Sequence, residues 1–305
     1  MTSRITLTHG CSLSNLPLFV AEGAGLFEAE GLEVEVPRFT TLSATADILE
    51  SGLSELGTVA FTEPLIDAFR PNPPIIVGGS GLMGITIMAQ PEITSVGQLK
   101  GLKAGTFRRD PLEILLHDAL AAHGLGFDDL EVVYLDDIDD ALAAFESRRI
   151  DAITLAEPHA TRIRRLGAVQ LSDGTELWGD PFPDTVLVAS ASFLETKPAL
   201  VSAALRAMIR AEQMITADPS GMLDHAARHY PGYDRADLEV GARRQPPCID
   251  IRYLEQTVYD RWDSLVSLGL VPSDAQLPAN VVSFDLLAAE LERAGLESPE
   301  SPQEQ

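Results

Sequence analysis

Stretches of strand character and stretches of helix character alternate from the first residues of this chain, and that alternation constrains the fold more than any single motif. Residues 4–8 read Arg-Ile-Thr-Leu-Thr, a strand, and the loop that follows leads into a helix. Residues 32–36 (Leu-Glu-Val-Glu-Val) have period two, whereas Leu42, Ala46, Leu49 and Leu53 form a helical stripe. Residues 57–61 form a short apolar strand, and Pro64 suits the first turn of a helix after it. Pro71 to Pro74 breaks the chain ahead of the apolar Ile75-Ile76-Val77. This β-α-β-α-β order predicts a mostly parallel sheet with right-handed crossovers.

Gly78-Gly79-Ser80-Gly81, with Gly84 close behind, predicts a hinge or crossover. A second set of βα units follows. Its strands are expected at 85–89, 102–105, 131–135 and 152–155, with helices at about 111–123 and 138–148. Pro181-Phe182-Pro183 predicts a second crossing, ahead of an apolar strand at 185–189. From residue 200 the chain reads as mostly helical, with Val201, Leu205, Met208 and Ile209 on one face. The expectation is an α/β chain of two lobes, residues 1–83 plus 185–295 and residues 84–184, with a polar, proline-containing tail at 296–305 that is expected to be disordered.

The chain has 305 residues, 22 of them basic and 46 acidic, for a formal net charge of −24. So acidic a surface repels phosphates and anionic lipid, which argues against nucleic-acid partners and membrane surfaces. No apolar run reaches the ~18–20 residues that span a bilayer, so no membrane insertion is expected. The first residues show no basic n-region, apolar h-region or small-residue cleavage site. The chain as written is therefore expected to stay in the cytoplasm. A periplasmic or lipid-anchored protein, working with a membrane permease, would require a start further upstream. The two cysteines, Cys11 and Cys248, form no disulfide framework.

Four segments carry a resemblance. Ala21-Glu22-Gly23-Ala24-Gly25-Leu26-Phe27-Glu28-Ala29-Glu30-Gly31-Leu32-Glu33-Val34 runs from a helix into a strand. Leu42-Ser43-Ala44-Thr45-Ala46-Asp47-Ile48-Leu49-Glu50-Ser51-Gly52 is the next helix. Ser95-Val96-Gly97-Gln98-Leu99-Lys100-Gly101-Leu102-Lys103 opens the second set, and Phe145-Glu146-Ser147-Arg148-Arg149-Ile150-Asp151-Ala152 leads to Ala156-Glu157-Pro158. In order and spacing these resemble the type 2 periplasmic-binding-protein fold, and more narrowly the group that joins sulfonate and taurine receptors of ABC transporters with the THI5/NMT1-like pyrimidine proteins. The resemblance covers about residues 4–220. It implies two lobes, each a mostly parallel sheet flanked by helices, with a ligand cleft between them.

Ligands of open α/β sheets lie beyond the carboxyl ends of strands, near helix N-termini. That rule selects residues 9–15, 39–44, 60–64, 106–110 and 156–159, with the strand start near Asp184 as a sixth segment. Arg108 and Arg109, in the loop with Thr106 and Phe107, suit a carboxylate, sulfonate or phosphate. They could equally pair with Asp110, Glu113 or a neighbouring lobe. Thr41 and Ser43 could bind an oxyanion or cap a helix. Glu63 and Glu157 each precede a proline at a helix start, where acids are common in any case. With Thr62 and Asp184 they are candidates for a donor on the ligand. Phe39, Phe61 and Phe107 could sandwich a flat ring, or belong to the core.

Cys11, with Ser12 and Asn15, stands in the first loop, where a helix N-terminus would lower a thiol pKa and His9 is near in sequence. Aromatic sulfinate desulfinases share this fold and use such a cysteine, and Cys11-Ser12-Leu13-Ser14-Asn15 resembles their Cys-x-x-x-Asn. Their Arg-x-Gly-Gly segment has no counterpart here, nor does the cysteine-rich iron motif of the pyrimidine-forming enzymes. His225 and His229 share a helical face without a third ligand nearby, so no metal is expected, and a solvated face is. No cofactor motif stands in the chain. The readings left open are a binding protein for a small anionic or heteroaromatic ligand, an enzyme on the same fold (desulfinase, decarboxylase or lyase) with Cys11 and His9 at its centre, and a ligand-sensing regulatory partner.

Overall fold

The computed structural model describes residues 3–37 and 54–296. The predicted helix at 42–53, with Thr41, Ser43 and Phe39, lies outside the described residues, as does nearly all of the tail. Ten strands are described: β1 Ser3–Thr8, β2 Leu32–Glu35, β3 Leu56–Ala60, β4 Pro74–Leu82, β5 Ile85–Ala89, β6 Lys103–Thr106, β7 Glu131–Tyr134, β8 Ala152–Ala156, β9 Val169–Ser172 and β10 Pro183–Ser190. They form two five-stranded sheets, ordered β2-β1-β3-β10-β4 and β7-β6-β8-β5-β9.

Each sheet is mixed where alternation alone predicts mostly parallel ones. In the first, β1 is parallel to β2 and β3, but β10 is antiparallel to β3 and β4. In the second, β6 is parallel to β7 and β8, but β5 is antiparallel to β8 and β9. The reversed strands are β5 and β10, the two that begin just after the chain changes sheets. Such a strand enters its new sheet from the cleft side, so it runs opposite to the strands that βα units have laid down there. Strand β9 has no counterpart in the sequence reading, because Val-Gln-Leu-Ser is too short to show a period.

Only part of the glycine cluster lies at a crossing. Gly78, Gly79 and Gly81 stand inside β4, which is buried along its whole length. A Cβ on Gly79 would lie 2.2 Å from the Cys248 carbonyl oxygen, because residues 246–250 run back along this strand. Gly84 is at the crossing itself, with φ +77°, and its own Cβ would meet Gln245 at 2.6 Å.

Helix Pro198–Ala217 lays Val201, Leu205, Met208 and Ile209 against the first sheet, in one core with Leu7, Phe19 and Leu187. Helix Pro111–Ala122 does the same on the second sheet through Ile114, Leu115 and Leu116, and it is capped by Asp110, which accepts from Leu112 N at 3.0 Å. The chain then leaves the first lobe. Helix Trp262–Ser267 packs on helix Pro111–Ala122, and Asp118 gathers the contact: it accepts from Ser264 Oγ at 2.7 Å, Trp178 Nε1 at 2.8 Å and Arg261 Nη1 at 3.3 Å. By Val281 and Ser283 the chain is back beside Ile76 of β4. Among the described residues no helix is long and apolar enough to cross a membrane.

Candidate functional site

A cavity of about 280 Å³ lies between the sheets. Its wall on one side comes from the loop after β1 (Gly10, Cys11, Ser12), from the end of β3 and the turn beyond it (Ala60, Glu63), and from Asp184 and Thr185 of β10. The other wall comes from Arg108, Arg109 and Asp110 ahead of helix Pro111–Ala122, and from Ile138, Ala156 and His159. These are strand ends and helix starts, where the topology leaves a crevice.

A polar network fixes the first wall. Ser14 Oγ is 2.6 Å from Ser12 Oγ and 2.6 Å from Thr185 Oγ1. Ser14 N donates to Gln245 Oε1 at 2.9 Å, and Gln245 Nε2 donates to Asp184 Oδ2 and to the Met83 carbonyl, each at 2.9 Å. Gln245 thus braces the crossing and the cavity floor together. Asn15 faces inward, accepting from Thr58 Oγ1 at 2.6 Å. The Leu13 amide reaches across to the Glu157 carbonyl at 2.8 Å.

The second wall carries the cations. Glu113 is buried and accepts from Arg109 N at 2.7 Å and from Tyr134 Oη at 2.6 Å. It thereby holds Arg109 at φ 66°, and the adjacent Arg108 guanidinium lies 3.7 Å from the centre of the Tyr134 ring. Arg109 reaches the other lobe, where its Nη2 is 2.6 Å from Asp67 Oδ1; Arg70 binds the second oxygen of Asp67 at 3.2 Å. Among the described residues, Arg108 has no carboxylate partner. It is exposed, so it forms a rim to the cavity, while Glu63 and Asp184 lie deep.

Those deep acids are perturbed. Burial pushes Glu63 up to about 8, with Asp67 adding to the effect and Arg109 opposing it. Burial likewise lifts Asp110 to about 7 and Asp184 to about 6. Glu63 Oε1 is buried without a hydrogen-bond partner among the described residues.

Cys11 lines the cavity, but its chemistry differs from the thiolate that its loop position predicts. Burial, then the nearby Asp110, pushes the thiol up to about 12. His9 does not act on it as a base: its ring nitrogens lie 2.6 Å from the Gly10 carbonyl and 2.7 Å from that of Pro37, and burial lowers its pKa to about 4. His9 lines a small adjoining hollow with Cys11, His159, Tyr230 and Tyr233. His229, predicted on a solvated face, stacks on Phe19 at 3.8 Å and meets Glu22 at 3.1 Å.

Of the residues singled out from the sequence, Cys11, Ser12, Glu63, Arg108, Arg109 and Asp184 come together on the wall. Thr41 and Ser43 lie outside the described residues. Asn15, Phe61, Thr62, Thr106, Phe107 and Glu157 are buried behind it. Phe61 meets Trp178 edge-on at 5.9 Å, Thr106 pairs with Thr154 at 2.8 Å, and Glu157 accepts from Thr161 N at 2.9 Å at the start of its helix. The sequence reading placed Asp110 and His159 at the ends of selected segments without giving them a role at the ligand, and it did not select Arg70 or Thr185. Asp110 carried a signal, Asp-Pro ahead of an apolar stripe, which reads as a helix cap and hides a second role.

A family model described as NMT1/THI5 like matches residues 13–222. A protein of Brucella abortus (strain 2308) whose name calls it a binding protein is 25% identical over 226 residues, covering 73% of this chain and 70% of that one. The alkanesulfonate-binding protein SsuA from Xanthomonas axonopodis pv. citri, solved with MOPS bound, superposes with a TM-score of 0.78 at 20% identity, covering 92% of this chain and 98% of that one. The periplasmic nitrate-binding protein NrtA from Synechocystis PCC 6803 gives 0.83 at 15% identity, covering 99% and 92%. The structural likenesses establish the two-lobed fold of ABC-transporter substrate-binding proteins, and the family match, which spans more than half of the sequence, shows that this chain belongs to the NMT1/THI5-like family.

Proposed function

We propose that this chain is a binding protein that holds one small molecule between its lobes, with an acidic group of that molecule at Arg108. The observation that carries the reading is the Arg108 guanidinium, held over the Tyr134 ring at the rim of an interlobe cavity with no carboxylate among the described residues to neutralise it. A cavity of about 280 Å³ lies just below the ~300–1,000 Å³ typical of drug-sized sites, so the occupant is small. The solved proteins named for alkanesulfonate and nitrate binding support an anion-bearing ligand, and the Brucella relative supports binding as the activity. A cytoplasmic location belongs to the same proposal and is tested by cell fractionation and N-terminal sequencing of the native protein; recovery of a processed or lipid-anchored form outside the cytoplasm would replace it with a permease partner.

The experiment is a thermal-shift screen of the full chain against small carboxylates, sulfonates and phosphates, followed by calorimetry on Arg108→Ala. The expected result is saturable stabilisation by at least one acid, weakened in the variant. No stabilisation by any of them would overturn the reading. An enzymatic role for Cys11 is disfavoured by its thiol state, and a product peak that disappears in Cys11→Ser would restore it.

A further inference from the structure

The acids of the cavity exceed what an anion-binding site needs. Glu63, Asp110 and Asp184 all line it, and each of the first two feels the next as a like charge. Two are accounted for in part: Asp110 caps a helix, and Asp184 accepts from Gln245 and Thr185. Glu63 is not. It is 6% exposed, it lines the cavity, and among the described residues its Oε1 has no hydrogen-bond partner. A buried, unsatisfied carboxyl oxygen destabilises the fold unless something binds it. Opposite it, at the exposed rim, stands Arg108.

We infer that the ligand is amphoteric: besides the acid group at the Arg108 rim it carries a protonated nitrogen, which is seated on the cavity floor against Glu63, with Asp110 and Asp184 around it. This rests on the binding reading above and adds to it the polarity of the ligand, acid outward and nitrogen inward. The chemical class is a short straight-chain amino acid with its amine at the end remote from the acid.

Charge complementarity explains the state of the floor. With the cavity empty, Glu63 is held mostly as the neutral acid at neutral pH, because burial and Asp67 and Asp110 outweigh Arg109 and Arg70. A cation arriving beside it favours the carboxylate, so binding expels a proton from Glu63. The ligand's nitrogen keeps its own proton.

The test uses the full chain and three series of straight-chain probes with three to six carbons: ω-amino acids, the same acids without the amine, and the same amines without the acid. Calorimetry in two buffers of different ionisation enthalpy reads affinity and proton release. The expected result is that one amino acid binds at least tenfold more tightly than its des-amino acid and releases a fraction of a proton. Glu63→Gln should cost at least tenfold for the amino acid and leave the des-amino acid within threefold. Asp110→Asn, which keeps a helix cap, should weaken the amino acid in the same direction. Should Glu63→Gln fail to fold, the comparison of probes on the unaltered chain still decides. Des-amino acids that bind as tightly as the amino acids, without proton release, would overturn the amphoteric ligand and leave the binding reading standing. Tightest binding by the plain amines would overturn the acid at Arg108. Binding of none of the three series would overturn both.

Discussion

At the scale of single residues, the two arginines that share a loop are not equivalent. Arg109 spends its charge on Asp67 across the cleft, whereas Arg108 rests on a ring. Arg108→Ala should therefore weaken an acid-bearing ligand by about 1–2 kcal/mol, below the range for buried charged hydrogen bonds because the rim is wet. Arg109→Ala should mainly loosen the interlobe contact, and titration calorimetry on both variants separates the two effects. Cys11 gives a second residue-scale expectation. With both thiols pushed up to about 12, Cys11 and Cys248 should alkylate slowly and at comparable rates at pH 7.5, as followed by mass spectrometry with iodoacetamide. Rapid modification of Cys11 alone would mean a thiolate in the cavity. The sequence could place these side chains in a loop but could not show who neutralises whom. Arg109 and Asp67 are 42 positions apart, and only the closed topology brings them to 2.6 Å.

At the scale of elements, strands and helices were legible wherever periodicity was long enough to express itself. The helix capped by Asp110 and the amphipathic helix Pro198–Ala217 are of this kind. Strand direction was less so, because β5 and β10 take their orientation from the crossing ahead of them and not from their own residues. The glycines show the same limit. Composition marks them as hinge material, but Gly79 is small because a returning segment lies on it, and only Gly84 needs its positive φ. Gly84→Ala should cost about 2 kcal/mol from the left-handed backbone and displaced Gln245, measured by urea denaturation. Since Gln245 also bonds Asp184, this variant should also weaken ligand binding, which a purely local strain would not.

At the scale of the whole molecule, the buried acids tie stability to pH. Glu63, Asp110 and Glu212 are raised to about 8, 7 and 7 by burial, against about 4 in an unfolded chain. The folded protein then holds more protons than the unfolded one at neutral pH. The stability these groups contribute is complete below about 4 and is lost as pH rises through 7 and 8. His9 and His159, lowered to about 4 by burial, are neutral in the folded chain, and their protonation in the unfolded chain is half gone at 6.5 and nearly gone by about 7.5, so they oppose the acids only at the lower edge of this window. The melting temperature of the ligand-free chain should fall from pH 6.5 to 8.5 by differential scanning calorimetry, and Glu63→Gln should flatten the slope. The lobes are also fastened beyond their two crossings, by the helix Trp262–Ser267 that Asp118 binds through Arg261 and Ser264, while Trp178, on the same lobe as Asp118, donates to the same carboxylate. Asp118→Ala leaves the largely buried Arg261 guanidinium and the Trp178 N–H unpaired, and should cost about 3 kcal/mol in denaturant unfolding. That third fastening has a kinetic meaning. A clamshell joined by two ribbons opens as fast as the ribbons bend, but here the opening must also peel a packed helix from its seat. Loosening Asp118 should therefore shorten the life of a bound complex while leaving every group that lines the cavity in place, as dissociation kinetics of Asp118→Ala would read.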